Sequence, residues 1–176
     1  MEKERSRTCG TITQILREDE NTRVLLQVGE REEILLWVST STPIIDSVTG
    51  LPLGVEHLKK GETVWVTSGS AMALSQPSSV EALAIVAHVD KDKAPALFLR
   101  AGSVIPYENG VQVNSACGEY RLLLSQETEI RPYRTKNMVS VEDVVPGSDF
   151  FAWFDVMTLS LPAQAVPSLV VLLPSF

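Results

Sequence analysis

Ser39-Thr-Ser-Thr42-Pro-Ile44, followed by Thr49 and by Val55-Glu56-His57-Leu58-Lys-Lys-Gly61, returns 86 residues later. The second occurrence reads Ser125-Gln-Glu-Thr128-Glu-Ile130, then Thr135, then Val141-Glu142-Asp143-Val144-Val-Pro-Gly147. Seven of these 23 aligned positions are identical, without a gap. After one deletion the shift becomes 85, and Met72, Leu74, Ser75 and Pro77 fall on Met157, Leu159, Ser160 and Pro162. Self-similarity at a fixed period points to one structural unit built twice. Two units are therefore expected in this chain of 176 residues, 1–93 and 94–176, with the boundary in the polar, proline-containing stretch Lys91-Asp-Lys-Ala-Pro95.

Outward from the repeat, the periodicity is that of strands. Thr11–Leu16, Arg23–Val28 and Ile34–Val38 are short and rich in apolar or β-branched residues. Polar turns such as Glu18-Asp19-Glu20-Asn21 separate them, so they read as a three-strand meander. Val55–Lys60 fits one helical turn, with Glu56 near its start, Lys59-Lys60 near its end and Gly61 as a stop. Glu62–Thr67 and Ala82–Val89 complete the first unit. In the second, Glu108-Asn109-Gly110 marks a hairpin, because Asn-Gly tolerates positive φ. Tyr120–Leu124, a turn at Ser140–Val145, Phe150–Phe154 and Ser168–Leu173 follow. No segment has the pattern of a long amphipathic helix. The expected fold is all-β: two tandem small β-barrel (OB-like) repeats, each with one short helical turn. Closure into barrels would remove most of the unpaired strand edges. A pair of sandwich-like units is the alternative.

Composition narrows the function classes. Hydrophobic residues make up 44% and charged residues 21%, as in a folded globular protein. The net charge of −7 divides into −4 for residues 1–93 and −3 for 94–176, with no basic run beyond Lys59-Lys60. Nucleic-acid affinity comes mainly from neutralising phosphates, so that partner is disfavoured. The N-terminus is charged and lacks an apolar stretch, which argues against a secretory signal and for a cytoplasmic setting. Val156–Phe176 is 21 residues without a charge, but Pro162, Pro167 and Pro174 interrupt it. It reads as a loop and a buried strand, not a membrane span. Cys9 and Cys117 are 108 positions apart, outside any ligand motif, and read as free thiols.

Reactive constellations are not visible. His57 and His88 are the only imidazoles. His57 aligns with Asp143 at a solvated turn position, and His88 lies near the end of an apolar strand, where a satisfied or edge-exposed histidine is expected. There is no G-x-S-x-G elbow, calcium-loop spacing, zinc pattern or Gly-rich phosphate loop. Catalysis, a metal and a cofactor are therefore not expected. Trp65 aligns with Phe151 in an alternating strand and reads as core, whereas Trp153 aligns with Thr67 and is a candidate for an exposed aromatic face.

Two uncharged stretches, Ser68–Val80 and Val156–Pro167, are longer than usual barrel connections, whose median is about 4–6 residues. They are expected to pack against the other repeat or a partner chain. The candidate contact residues are Met72, Ser75 and Pro77 with Met157, Ser160 and Pro162. Met and Pro would give adaptable apolar contact, and Ser hydrogen bonds to backbone. The expected function is a non-catalytic binding or scaffolding module, with a protein partner or self-association. The alternative is a glycan- or single-stranded nucleic-acid-binding barrel that uses Trp153.

A family resemblance adds to this. Ile130-Arg-Pro-Tyr133-Arg-Thr-Lys136-Asn-Met-Val-Ser140-Val-Glu-Asp143, with Phe150-Phe-Ala-Trp153-Phe-Asp155-Val-Met157-Thr-Leu-Ser160-Leu-Pro162-Ala-Gln-Ala165, resembles a repeat of clostridial-type bacterial proteins. There the repeat often follows a domain similar to the N-terminal domain of copper amine oxidases. Ile44-Ile-Asp46-Ser-Val-Thr-Gly50 and Ser70-Ala-Met72-Ala-Leu-Ser75-Gln-Pro77 resemble its partner repeat. The resemblance implies a β-rich module without a family activity, and a cell-surface setting as the alternative to the cytoplasm.

Overall fold

Alternation at period two, repeated strand after strand, puts every second side chain inside and curls the sheet around them. The computed structural model describes residues 5–73, 77–134 and 138–174, and these are all-β, with two single 3-10 turns as the helical elements among them. The chain divides into two compact units, Met1–Asp90 and Lys91–Phe176.

Unit 1 contains β1 (Arg5–Arg17), β2 (Asn21–Val28), β3 (Glu32–Ser39), β4 (Ile44–Asp46), β5 (Thr63–Ala73) and β6 (Ser78–Ala87). The pairing runs β3-β2-β1-β5-β6, and a parallel pairing of β3 with β6 joins the two ends. That ring of five strands is a closed barrel with oligonucleotide-binding-type connectivity. β4 adds beside the second half of β6, with Ile44 opposite Ile85. Ile12, Val24, Leu26, Leu36, Ile44 and Leu58 are almost completely buried in its centre. Each such side chain stabilises the fold by about 1.5–3 kcal/mol relative to exposure.

Unit 2 contains β7 (Leu97–Tyr107), β8 (Gly110–Ser115), β9 (Tyr120–Leu124), β10 (Glu129–Pro132), β11 (Asp149–Trp153), β12 (Ala163–Ala165) and β13 (Leu169–Leu172). Its sheet order is β10-β13-β11-β7-β8-β9-β12. β12 and β13 are two segments of one stretch, separated by Val166-Pro167-Ser168. β12 pairs in parallel with β9, as β6 does with β3, and β13 pairs with β11 and β10, as β6 does with β5 and β4. Leu97, Leu99, Val113, Leu122, Phe150 and Val170 fill the interior.

Several local devices occur in both units. Ser39 N–H bonds to Thr42 Oγ1 at 3.0 Å, and Ser125 N–H to Thr128 Oγ1 at 3.2 Å. A β-bulge interrupts β1 between Ile12 and Gln14, and β7 between Ala101 and Ser103. Gly61 and Gly147, at φ +89° and +93°, donate to Ile12 O and Ala101 O at 2.7 and 2.8 Å. A side chain is disfavoured at such φ, so glycine suits both corners.

Three expectations need correction. The helical turn is shorter than Val55–Lys60: it spans Val55–His57, and Leu58 is already extended. Lys59-Lys60 therefore lie outside it and have no helix dipole to complement. At the second-unit hairpin, Glu108 takes the positive φ, +47°, with Tyr107 opposite Gly110. Gly110 is required for space, since a Cβ there would collide with the carbonyl of Leu124. Finally, Ser68–Val80 is not a loop for most of its length. β5 continues to Ala73 and β6 begins at Ser78, with Met72 opposite Val80.

Candidate binding surface

Beyond Phe154, which is buried, the chain leaves the barrel of unit 2 and runs through water until β12. Val156 is 79% exposed, Leu159 fully exposed and Leu161 86% exposed. Val166, on the far side of β12, is also exposed. The apolar side chains of this uncharged stretch therefore point outward.

The loop is nonetheless held in one shape. Thr158 N–H donates to Gln164 O at 2.9 Å, and Gln164 N–H donates to Thr158 Oγ1 at 2.8 Å. Thr158 Oγ1 is 2.6 Å from Ser160 Oγ, and the Ser160 hydroxyl donates to Pro162 O at 2.9 Å. Met157 bridges to Ala165, and Ala163 N–H bonds to Glu119 O. These bonds satisfy loop polar groups internally and leave Leu159 and Leu161 as its outward content. Beside the loop is a hollow of about 480 Å³, floored by Leu123, Val156, Met157, Ala165 and Val166.

Of the predicted contact residues, Met157, Ser160 and Pro162 come together here. Met157 lines the hollow and is 41% exposed. The Ser160 hydroxyl bonds within the loop, to the backbone carbonyl of Pro162 and beside Thr158 Oγ1. Met72 lies in β5 of unit 1, Ser75 lies outside the described residues, and Pro77 is half-buried beside a polar hollow with Gln27, Glu30, Arg31 and Glu33. Trp153 is half-buried at the end of β11, opposite Leu169, and its carbonyl accepts Ser168 N–H at 2.8 Å. Val156, Leu159, Leu161 and Val166 escaped the sequence reading. The alternation Thr158-Leu159-Ser160-Leu161 was the available signal, but it is the same in a paired strand.

Phe151 is fully buried against Phe98 and Tyr133, with ring centroids 5.1 and 6.4 Å away. Its counterpart Trp65 is not core: it is half-buried, with the Arg7 guanidinium 3.9 Å from its ring centroid. An exposed aromatic, Trp37, stands on β3 opposite Arg23 of β2, whose guanidinium is 5.6 Å from the ring and also pairs with Glu18.

His88 is held between carboxylates. Its Nδ1 is 2.7 Å from Asp46 Oδ2, its Nε2 is 3.6 Å from Glu62 Oε1, and its backbone N–H donates to that same Glu62 oxygen at 2.9 Å. Asp46 Oδ1 accepts the N–H groups of Val48 and Thr49 at 2.8 and 3.0 Å. Burial alone would raise the Asp46 carboxyl, but the bonds from His88, Thr49 and Val48 outweigh it and hold the group below its ordinary value. The arrangement ties β4, the start of β5 and the end of β6 together. His57 is solvent-exposed, 3.7 Å from Glu56. Cys9 is half-buried and Cys117 exposed, and both are free; burial raises the Cys9 thiol, partly offset by Arg7. Among the described residues no group of three metal-ligating side chains comes together, and no helix is long and apolar enough to cross a membrane.

No family model matches the chain, and no curated protein matches it. Among solved structures it is similar to that of a murine DNA-binding protein bound with double-stranded DNA, at 8% identity and a TM-score of 0.30, covering 92% of this chain and 93% of that one. At that level the likeness bears on neither ligand nor mechanism.

Proposed function

We propose that the chain is a non-catalytic protein-binding module, built from two copies of one OB-like barrel, that docks a partner on the loop 156–166. The carrying observation is a loop whose own hydrogen bonds fix its shape while Leu159 and Leu161 stand in water. Fixing the shape in advance lowers the entropy lost on binding. Apolar side chains set beside an apolar hollow offer the area that drives association. The recurrence of the Ser–Thr turn, the bulge and the glycine corner supports descent of both units from one barrel.

The test compares the native chain with the double variant Leu159→Asp/Leu161→Asp, both isolated from cells that make the natural partners. The native chain is expected to retain a protein partner, or a second copy of itself, that the variant releases while its circular dichroism stays unchanged. Equal retention by both chains would remove the loop from the account.

Trp37 beside Arg23 on the β2–β3 face favours a second reading, a barrel that binds an extended ligand. That face is where oligonucleotide- and oligosaccharide-binding barrels receive their ligands. Glu18 already neutralises Arg23 and the adjoining turn is acidic, so a neutral glycan suits it better than a polyanion. Titration of tryptophan fluorescence with an oligosaccharide and with oligo-dT separates the two. A saturable response to the glycan that Trp37→Ala abolishes supports this reading, and no response to either ligand refutes it.

A further inference from the structure

At one end of unit 1, an arginine reaches across to the 3-10 turn. Arg17, the last residue of β1, reaches the 3-10 turn and donates to Glu56 O at 3.4 Å and Leu58 O at 3.3 Å. Its cross-strand partner Thr22 is 5% exposed.

Unit 2 contains the same turn without the arginine. The β-bulges align Gln14 with Ser103, so Arg17 corresponds to Pro106, and their cross-strand partners Thr22 and Val111 correspond as well. The turn Val141–Asp143 is closed by Val144 N–H to Val141 O at 3.2 Å, as Leu58 N–H closes the first to Val55 O at 3.1 Å. The carbonyls equivalent to those Arg17 meets therefore belong to Glu142 and Val144. Proline has neither cation nor N–H to offer them. Beside this turn unit 2 has a hollow of about 640 Å³ with Val111, Ile130, Val139 and Val141 in its wall and Glu108 and Glu142 on it.

The acidic side chain is also redirected. In unit 1 the Glu56 carboxylate lies over Gly54, so closely that a Cβ there would collide with it. Ser140 stands at that position in unit 2 and carries a Cβ; its N–H bonds to Asp143 Oδ2 at 2.7 Å. Asp143 is thus used in the cap, while Glu142 lines the hollow.

We propose that this hollow receives an arginine side chain from a partner protein, taking the place that Arg17 fills in unit 1. The methylene stem would lie along Val111, Ile130, Val139 and Val141, as long cationic side chains do on apolar surface. The guanidinium, with five donors in a planar fork, would meet the carboxylates of Glu108 and Glu142 and the turn carbonyls. A lysine ammonium is a more strongly hydrated point charge and matches that set less well. The site is independent of the loop 156–166, so either can fail without the other.

The experiment uses the full chain, isotopically labelled, and a capped pentapeptide with one arginine between glycines. Its citrulline and lysine counterparts and free L-arginine serve as comparisons. Amide shift changes are expected at Val111, Ile130, Val139 and Ser140, strongest for the arginine peptide and absent for citrulline, which keeps the shape without the charge. Glu108→Gln/Glu142→Gln is expected to weaken the arginine peptide about tenfold. Both glutamates are exposed, so this variant keeps its fold. Pro106→Arg is expected to fill the hollow from within and exclude the peptide. Equal binding of the citrulline peptide, tighter binding of free arginine, or no effect of the glutamate pair would overturn the proposal.

Discussion

The closing strand is continuous in one unit and broken in the other. In unit 1, β6 runs from Ser78 to Ala87, and its hairpin partner β5 extends to Ala73. In unit 2 the equivalent stretch is interrupted by Val166-Pro167-Ser168, and β11 stops at Trp153. Proline cannot donate to a ladder, so the interruption falls where a central strand could least continue. With no long strand to pair with, the residues after Phe154 leave the sheet as a loop. The same length of uncharged chain is thus a barrel hairpin in one unit and an exposed apolar loop in the other.

Other differences sit at equivalent positions. Thr11 faces Thr63 across β1 and β5, whereas Arg100 and Asp149 replace them across β7 and β11 in a two-point ion pair at 2.9 and 3.1 Å. Unit 1 ties its strand ends with Asp46, His88 and Glu62, where the shifts of 86 and 85 place Pro132, Leu173 and Ser148 in unit 2.

The largest expected effect lies at the closing seam, where Leu36 faces Val80 and Leu122 faces Ala165. Leu36→Ala and Leu122→Ala each remove a buried side chain and are expected to cost about 2–5 kcal/mol in denaturant unfolding. A negligible cost at Leu122 would show that the broken strand does not close unit 2 as the intact one closes unit 1.

Next comes the His88 clamp. Asp46→Asn is expected to destabilise unit 1 by about 1–3 kcal/mol at neutral pH, because a charge-assisted bond is lost. The folded Asp46 carboxyl lies below its unfolded value, so its contribution is complete above the unfolded value near pH 4 and is lost as pH falls through the folded one. The difference between native chain and variant should therefore shrink on acidification. A difference that grows would reverse the assigned sign.

Smaller again is Asp149→Asn, expected to cost about 0.5–1 kcal/mol, since the pair with Arg100 is partly exposed. The cost should fall in high salt; a salt-independent value would assign it to packing. Smallest is Leu159→Asp/Leu161→Asp, with about 0.5 kcal/mol or less in thermal unfolding, because both side chains already stand in water. A larger loss would mean that the loop is part of the core.

Much of the fold could be read from local chemistry. Ser39–Thr42 and Ser125–Thr128 form hydrogen-bonded turns, and Gly61 takes the left-handed conformation its position suggested, as does Gly147. The break between β12 and β13 could not be read, because an uncharged run with proline is compatible with a packed loop, a strand or an exposed one. Exposure of Leu159 and Leu161 depends on where β11 ends, which is a property of the sheet and not of their neighbours in sequence. Trp65 shows the same limit. Alternation assigns it to the face opposite Val64 and Val66, and only the folded sheet shows that this face carries Arg7.

Amide hydrogen exchange, compared between the free chain and the chain bound to its captured partner, tests the central claim most directly. The account predicts slowed exchange concentrated in peptides spanning 156–166, with the β2–β3 face around Trp37 unchanged. Protection confined to the Trp37 face, with 156–166 exchanging as in the free chain, would contradict it.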